Sequence, residues 1–162
     1  MVKIIQIAFL LLFVLAGDTF AETFTVKKVI DGDIFELSDG KIVRLIGIDA
    51  PDSRPTSRAK MFAQRSGKKL EDILAVGKRA RKFVQKLIEG KKVRLEFDRQ
   101  EKDQDGNLWA YVYEVGSESL INAKIVESGY ATPQIIPPNV KFSKRFKELF
   151  NQAQTNKRGL WE

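Results

Sequence analysis

The chain has 162 residues, with 28 Lys and Arg against 21 Asp and Glu, a net charge of +7, and neither Cys nor His. Lack of Cys excludes disulfides, thiol nucleophiles and thiolate metal sites, and lack of His excludes an imidazole base, a Ser-His-Asp triad and His-ligated metals. Carboxylates, Arg, Lys, Tyr, Ser, Thr and hard cations bound through oxygen are left for chemistry, and the basic balance points to polyanionic partners, either nucleic acid or an anionic membrane surface.

Residues 1–21 read as an export signal. Lys3 supplies a positive start, Ile4 to Ala16 is apolar except for Gln6, and Thr19 and Ala21 place small residues at a cleavage site. The apolar run of 13 residues is short for a membrane span, which needs roughly 20; the alternative is an uncleaved anchor. The expected product is a secreted or periplasmic domain over 22–162, with no stable membrane insertion after cleavage. Roughly 140 residues suffice for one domain.

Residues 24–48 read as three strands. Phe24, Val26 and Ile30 fit one face, interrupted by Lys28, and Asp31-Gly32 marks a turn. Asp33 to Leu37 forms the next run, closed by Ser38-Asp39-Gly40. Val43 to Ile48 is the third, stopped before Pro51. Residues 52–77 suggest one or two short helices around Met61, Phe62, Leu70, Ile73 and Leu74. Ala80, Phe83, Val84, Leu87 and Ile88 follow a helical stripe that Gly90 ends. Val93, Leu95 and Phe97 alternate as a fourth strand, 99–107 is a charged loop, and Leu108 to Tyr113 is a fifth strand. Leu120 to Val126 and Phe142 to Ala153 carry two more helical stripes. The expected fold is α+β, mostly β: a barrel of the OB type from five antiparallel strands, with about three packed helices. Basic barrels of this kind commonly bind single strands.

Asp33, Asp49 and Asp52 fall at strand ends. They are either turn formers or convergent carboxylates, which repel unless a cation lies between them. Arg44, between Val43 and Leu45, faces either solvent or a site. The Lys and Arg residues of 54–94 are mostly a solvated helix face. Arg54, Arg58 and Lys60 differ in following Asp52 directly, where they would hold a phosphate backbone.

Asp31-Gly32-Asp33, Val43-Arg44-Leu45, Ile48-Asp49-Ala50-Pro51-Asp52, Leu108-Trp109-Ala110-Tyr111-Val112-Tyr113 and Lys157-Arg158-Gly159-Leu160-Trp161, in this order, resemble the staphylococcal-nuclease (thermonuclease) family over about residues 24–161. The resemblance implies an OB barrel and Ca²⁺-dependent hydrolysis of phosphodiesters in DNA and RNA. It implies one Ca²⁺ held by Asp33, Asp49 and the backbone carbonyl of Ala50, with Arg44 on the scissile phosphate. Asp52 matches a family Glu to which water activation is assigned, one methylene longer. Asn107 matches a second family arginine, beside Asp105, and no aromatic stands at 134–136, where the family's stacking tyrosines fall. Arg99 and Lys102, in the same loop as Asn107, are candidates for the missing charge. The resemblance thus leaves two expectations, a metal-dependent nuclease with altered activity or a nucleic-acid-binding barrel without chemistry, each taken as a monomer. An interaction domain of the cell envelope is a third.

Overall fold

The computed structural model describes residues 22–117 and 119–162, so the expected signal over 1–21 lies outside the described residues. The chain runs β1 (Thr23–Asp31), β2 (Ile34–Leu37), β3 (Ile42–Leu45), β4 (Ile48–Asp49), α1 (Ser57–Ser66), α2 (Leu70–Ile88), β5 (Lys92–Glu96), β6 (Leu108–Glu114), α3 (Ile121–Glu127), β7 (Thr132–Pro133) and α4 (Ser143–Thr155), then a 3₁₀ turn, Gly159–Trp161. Five strands close a barrel in the order β1-β2-β3-β6-β5, and β4 pairs with β7 beside it. Alternation explains the strands: in β2 and β3, Phe35, Leu37, Val43 and Leu45 point inward and are buried.

Three details differ from the sequence reading. The barrel is mixed, because β3 and β6 pair in parallel, with Arg44 opposite Trp109. A parallel neighbour needs a long crossover, and the segment containing α1, α2 and β5 supplies it. In β1 the buried apolar positions are Val26 and Val29, with Phe24 and Ile30 half-buried, since register shifts between Val26 and Lys28 and between Val29 and Asp31 reset the alternation. The third run is cut at Gly47, which has φ 79°. A Cβ there would stand 2.7 Å from the ring of Phe146, so the chain turns and Ile48 and Asp49 leave the barrel for β7.

Among the described residues four α-helices, against an expected three or so, complete the fold. Thr56 caps α1, its hydroxyl accepting from Ala59 N at 3.0 Å, and Gly67 ends it in the left-handed region. The stripe read at 80–88 belongs to a longer helix, α2, whose buried line is Ile73, Gly77, Ala80, Val84 and Ile88. That line packs against β1, and Phe146 of α4 joins the barrel core. Buried Asn122 locks α3 to the barrel: it accepts from Val112 N at 3.0 Å and donates to Ile46 O at 2.9 Å. No described helix is long and apolar enough to cross a membrane.

Candidate active site

The turn after β1, the strand ends of β3 and β4 and the first turn of α1 meet at one end of the barrel. Close backbone packing makes this possible. A Cβ on Gly32 would stand 2.6 Å from that of Ala50, and one on Gly77 would stand 2.0 Å from the carbonyl oxygen of Asp52. Two glycines therefore let the 49–53 segment lie flat between the β1–β2 turn and α2. Buried Asp31 fixes its far end, accepting from Ser53 N at 2.8 Å.

Asp33 is completely buried, and neither carboxylate oxygen has a hydrogen-bond partner among the described residues. Burial, then the negative charge of Asp49, push its carboxyl up to about 7 against the opposing pull of Arg58 and Arg44. The Ala50 backbone favours the carboxylate slightly without forming a hydrogen bond of good geometry. An unpartnered carboxylate in such a place is costly unless protonated or matched by a cation.

Asp49 ends β4. Arg44 of β3 reaches its Oδ1 at 3.9 Å, and Arg58 of α1 donates from Nη1 to the same oxygen. Arg58 also donates from Nη2 to the carbonyl of Ala50 at 3.1 Å and to Asp52, and from Nε to Asp52 Oδ2 at 3.0 Å. Asp52 receives the Thr56 hydroxyl at 2.6 Å as well. Burial raises the pKa of Asp52, but the hydrogen bonds from Arg58 and Thr56 outweigh it and hold the carboxyl below its ordinary range. Burial likewise works against the Arg58 charge, and Asp52, Asp49 and Asp33 more than restore it.

The structure thus brings Asp33, Asp49, Ala50, Asp52, Arg44 and Arg58 together. Among the described residues no three acidic side chains form a ready metal cage, since Asp52 is turned to Arg58 and Thr56. The fit to a hard cation rests instead on the orphaned, solvent-excluded Asp33 carboxylate beside Asp49, with the Ala50 carbonyl as a third oxygen. These are donors that Ca²⁺ accepts, with water or phosphate oxygens completing its shell of 6–8 ligands.

Arg54 and Lys60, which follow Asp52 in the chain, are exposed, and so are Arg99 and Lys102 in the loop before β6. Asn107 is tied into that loop: its backbone N–H and side-chain amide both donate to Asp103, at 2.9 and 3.0 Å. Tyr130, the aromatic nearest 134–136, stacks on Phe83 with centroids 4.6 Å apart. The sequence reading missed the inward turn of Arg58, the Asp31 tether and the Gly77 contact. Gly77, a glycine within a helix where it costs stability, was the signal for the last.

The family model that matches the chain, over residues 42–162, is described as staphylococcal nuclease homologue. The chain is 35% identical over 144 residues to a thermonuclease of Staphylococcus hyicus, covering 86% of this chain and 76% of the relative. It is 34% identical to a thermonuclease of Staphylococcus intermedius, covering 90% and 79%. It is also 28% identical to endonuclease YncB of Bacillus subtilis, covering 85% and 60%.

Proposed function

The chain belongs to the staphylococcal nuclease homologue family, and we propose on that basis that it is an exported, Ca²⁺-dependent nuclease that hydrolyses phosphodiester bonds of DNA and RNA. The observation that carries the metal reading is Asp33, a buried carboxylate without a partner next to Asp49 and two guanidiniums. The nuclease reading has the family and the similarity to a thermonuclease and an endonuclease behind it.

Asp33, Asp49 and the carbonyl of Ala50 would hold the ion. When bound, it supplies Lewis-acid stabilisation of the charge that builds on the phosphoryl oxygens. Arg44, held by its place on β3 and 3.9 Å from Asp49, donates to a phosphoryl oxygen from a fixed position. Asp52 is ionised at neutral pH, buried and anchored by Thr56, so it can accept a proton from the attacking water. Its shorter side chain and low basicity make it a modest base. Arg58 bonds Asp49, Ala50 and Asp52 and has to yield the first two to the ion. Arg54 and Lys60 flank the strand path. The signal over 1–21 carries the export part of the proposal, and 22–162 the enzyme, working as a monomer.

A second reading, a binding barrel without chemistry, draws on Asn107 being bound to Asp103 rather than presented as a cation. Digestion of plasmid and single-stranded DNA and of RNA, with Ca²⁺ or with EGTA, separates the two. Cleavage lost in EGTA is expected. Equal cleavage in EGTA removes the calcium proposal, and salt-sensitive binding without cleavage at high protein concentration selects the barrel without chemistry.

A further inference from the structure

A cavity of about 350 Å³ opens directly beside the carboxylate cluster. One wall is the cluster itself: Asp49, Ala50, Asp52 and Arg58. The other is mainly apolar, from Phe62 of α1, Ile73 and Val76 of α2, and Leu160 and Trp161 of the C-terminal turn, with Lys68 and Asp72 also in the lining. The volume lies at the small end of cavities that hold small organic ligands, roughly 300–1,000 Å³.

Three features say what suits it. Phe62 is 56% exposed, so this ring contributes little to folding and leaves a π-face open at the cavity. Trp161, which lines the cleft, is held edge-on against Phe150, with centroids 5.3 Å apart; its indole N–H is closed off from solvent and is not presented to the cleft. Asp72, in the first turn of α2, adds a carboxylate acceptor to the lining. The cavity therefore offers aromatic surface and a carboxylate acceptor beside a phosphate-handling cluster. A planar heterocycle with a donor edge, attached to a phosphate, matches both.

We propose that this cleft is a nucleobase subsite, which takes the base of a nucleotide adjoining the phosphate at Arg44 and Asp49. The inference rests on the nuclease reading for the position of that phosphate. The cleft lies on the α1 and α2 side of the cluster and supplies stacking that residues 134–136, without an aromatic, do not. Base–aromatic stacking tolerates any base, while Asp72 favours a base that presents a donor edge.

The test uses the whole chain and two substitutions. Phe62→Ala removes an exposed ring, and thermal melting checks that the variant folds. Trp161→Phe keeps an aromatic ring and removes the indole emission at this position. Oligonucleotides with a single abasic residue, scanned through the positions flanking the cut, measure the subsite directly. At one position the abasic strand is expected to raise KM about 5- to 150-fold, the range for one lost stack, with kcat nearly unchanged. Phe62→Ala should do the same with the intact strand and add nothing with the abasic one. Independently of cleavage, nucleoside monophosphates should quench Trp161 emission, ribose 5-phosphate should not, and Trp161→Phe should lose the signal. Equal KM for intact and abasic strands at every flanking position overturns the subsite while leaving the nuclease standing. Base-dependent quenching in a chain that does not cleave supports the subsite and removes the nuclease.

Discussion

Arg58→Ala is expected to tighten Ca²⁺ binding. In the structure the guanidinium donates to Asp49 Oδ1, to the Ala50 carbonyl and to Asp52, so an ion that takes the first two has to displace it. A hydrogen bond to a charged partner is worth about 1.5–3 kcal/mol net, and one to a neutral carbonyl about 0.5–1.5 kcal/mol. The Arg58 side chain is 38% exposed, and water replaces part of what is lost, which discounts the sum. A net competition of about 1–2 kcal/mol remains, equivalent to a roughly 5- to 30-fold lower dissociation constant in the variant. Calorimetric titration of metal-free protein with Ca²⁺ at fixed pH and salt measures it. The same change leaves Asp49 and Asp52 without their closest cation, so the metal-free variant should melt below the parent and gain more from added Ca²⁺. Arg58→Lys, which keeps the charge but loses the fork, should fall between the two. Equal or weaker Ca²⁺ affinity in Arg58→Ala would refute the view that this guanidinium competes for the ion's ligands.

Asp33 gives a pH signature in the absence of metal. Its carboxyl titrates near pH 7 when folded, against an ordinary value of 3.8. The folded state therefore holds a proton that the unfolded chain has released, and stability falls as pH rises from about 4 to about 7, by roughly 4 kcal/mol at most. Asp33→Asn should flatten that slope in denaturant melts and abolish Ca²⁺ stabilisation; an unchanged slope would place the titration elsewhere. Gly77→Ala forces a methyl group into the Asp52 carbonyl, 2.0 Å away, and should cost at least about 2 kcal/mol. Its melting temperature and cleavage rate should fall together. Asn107→Arg gives up one side-chain bond to Asp103, about 1 kcal/mol, and keeps the backbone bond that shapes the loop. A gain in cleavage of 10-fold or more is expected in the digestion assay; no gain would mean that the site does not lack a charge there.

Much of the barrel was legible because its signals are local. Phe35, Leu37, Val43 and Leu45 alternate, and Gly90 stops α2 where the stripe ends. What escaped was set by contacts between distant segments. Val29 replaces Ile30 on the inner face because pairing with β2 shifts register, which period-2 counting along β1 alone cannot show. Asp33, Asp49 and Arg44 were readable as an ordered set, and the structure supplies the burial that makes Asp33 unusual. Arg58 was read as a backbone-binding cation from its place after Asp52. Its inward turn depends on Thr56 starting a helix, which points the next turn's side chains back over the 49–52 segment.

That helix start has a further consequence. The Thr56 hydroxyl accepts from Ala59 N to begin α1 and donates to Asp52, while Arg58, two residues on, grips the same carboxylate. Asp52, the base in the proposed mechanism, is thereby held by both Thr56 and Arg58, while Asp49 and the Ala50 carbonyl, the proposed ion ligands, are each held by Arg58 alone at this helix. Phe62, one turn after Arg58 on the same helix, lines the cleft. An ion that displaces Arg58 removes one of the bonds holding α1 in place, and a base resting on Phe62 would restrain the same face of the helix one turn further along. Ligands at the two positions thus act on one ten-residue helix. Whatever orders α1 for one changes the cost of binding the other, and this linkage is reciprocal. Ca²⁺ affinity should therefore depend on whether a nucleotide fills the cleft, and Arg58→Ala, which removes the shared restraint, should weaken that dependence.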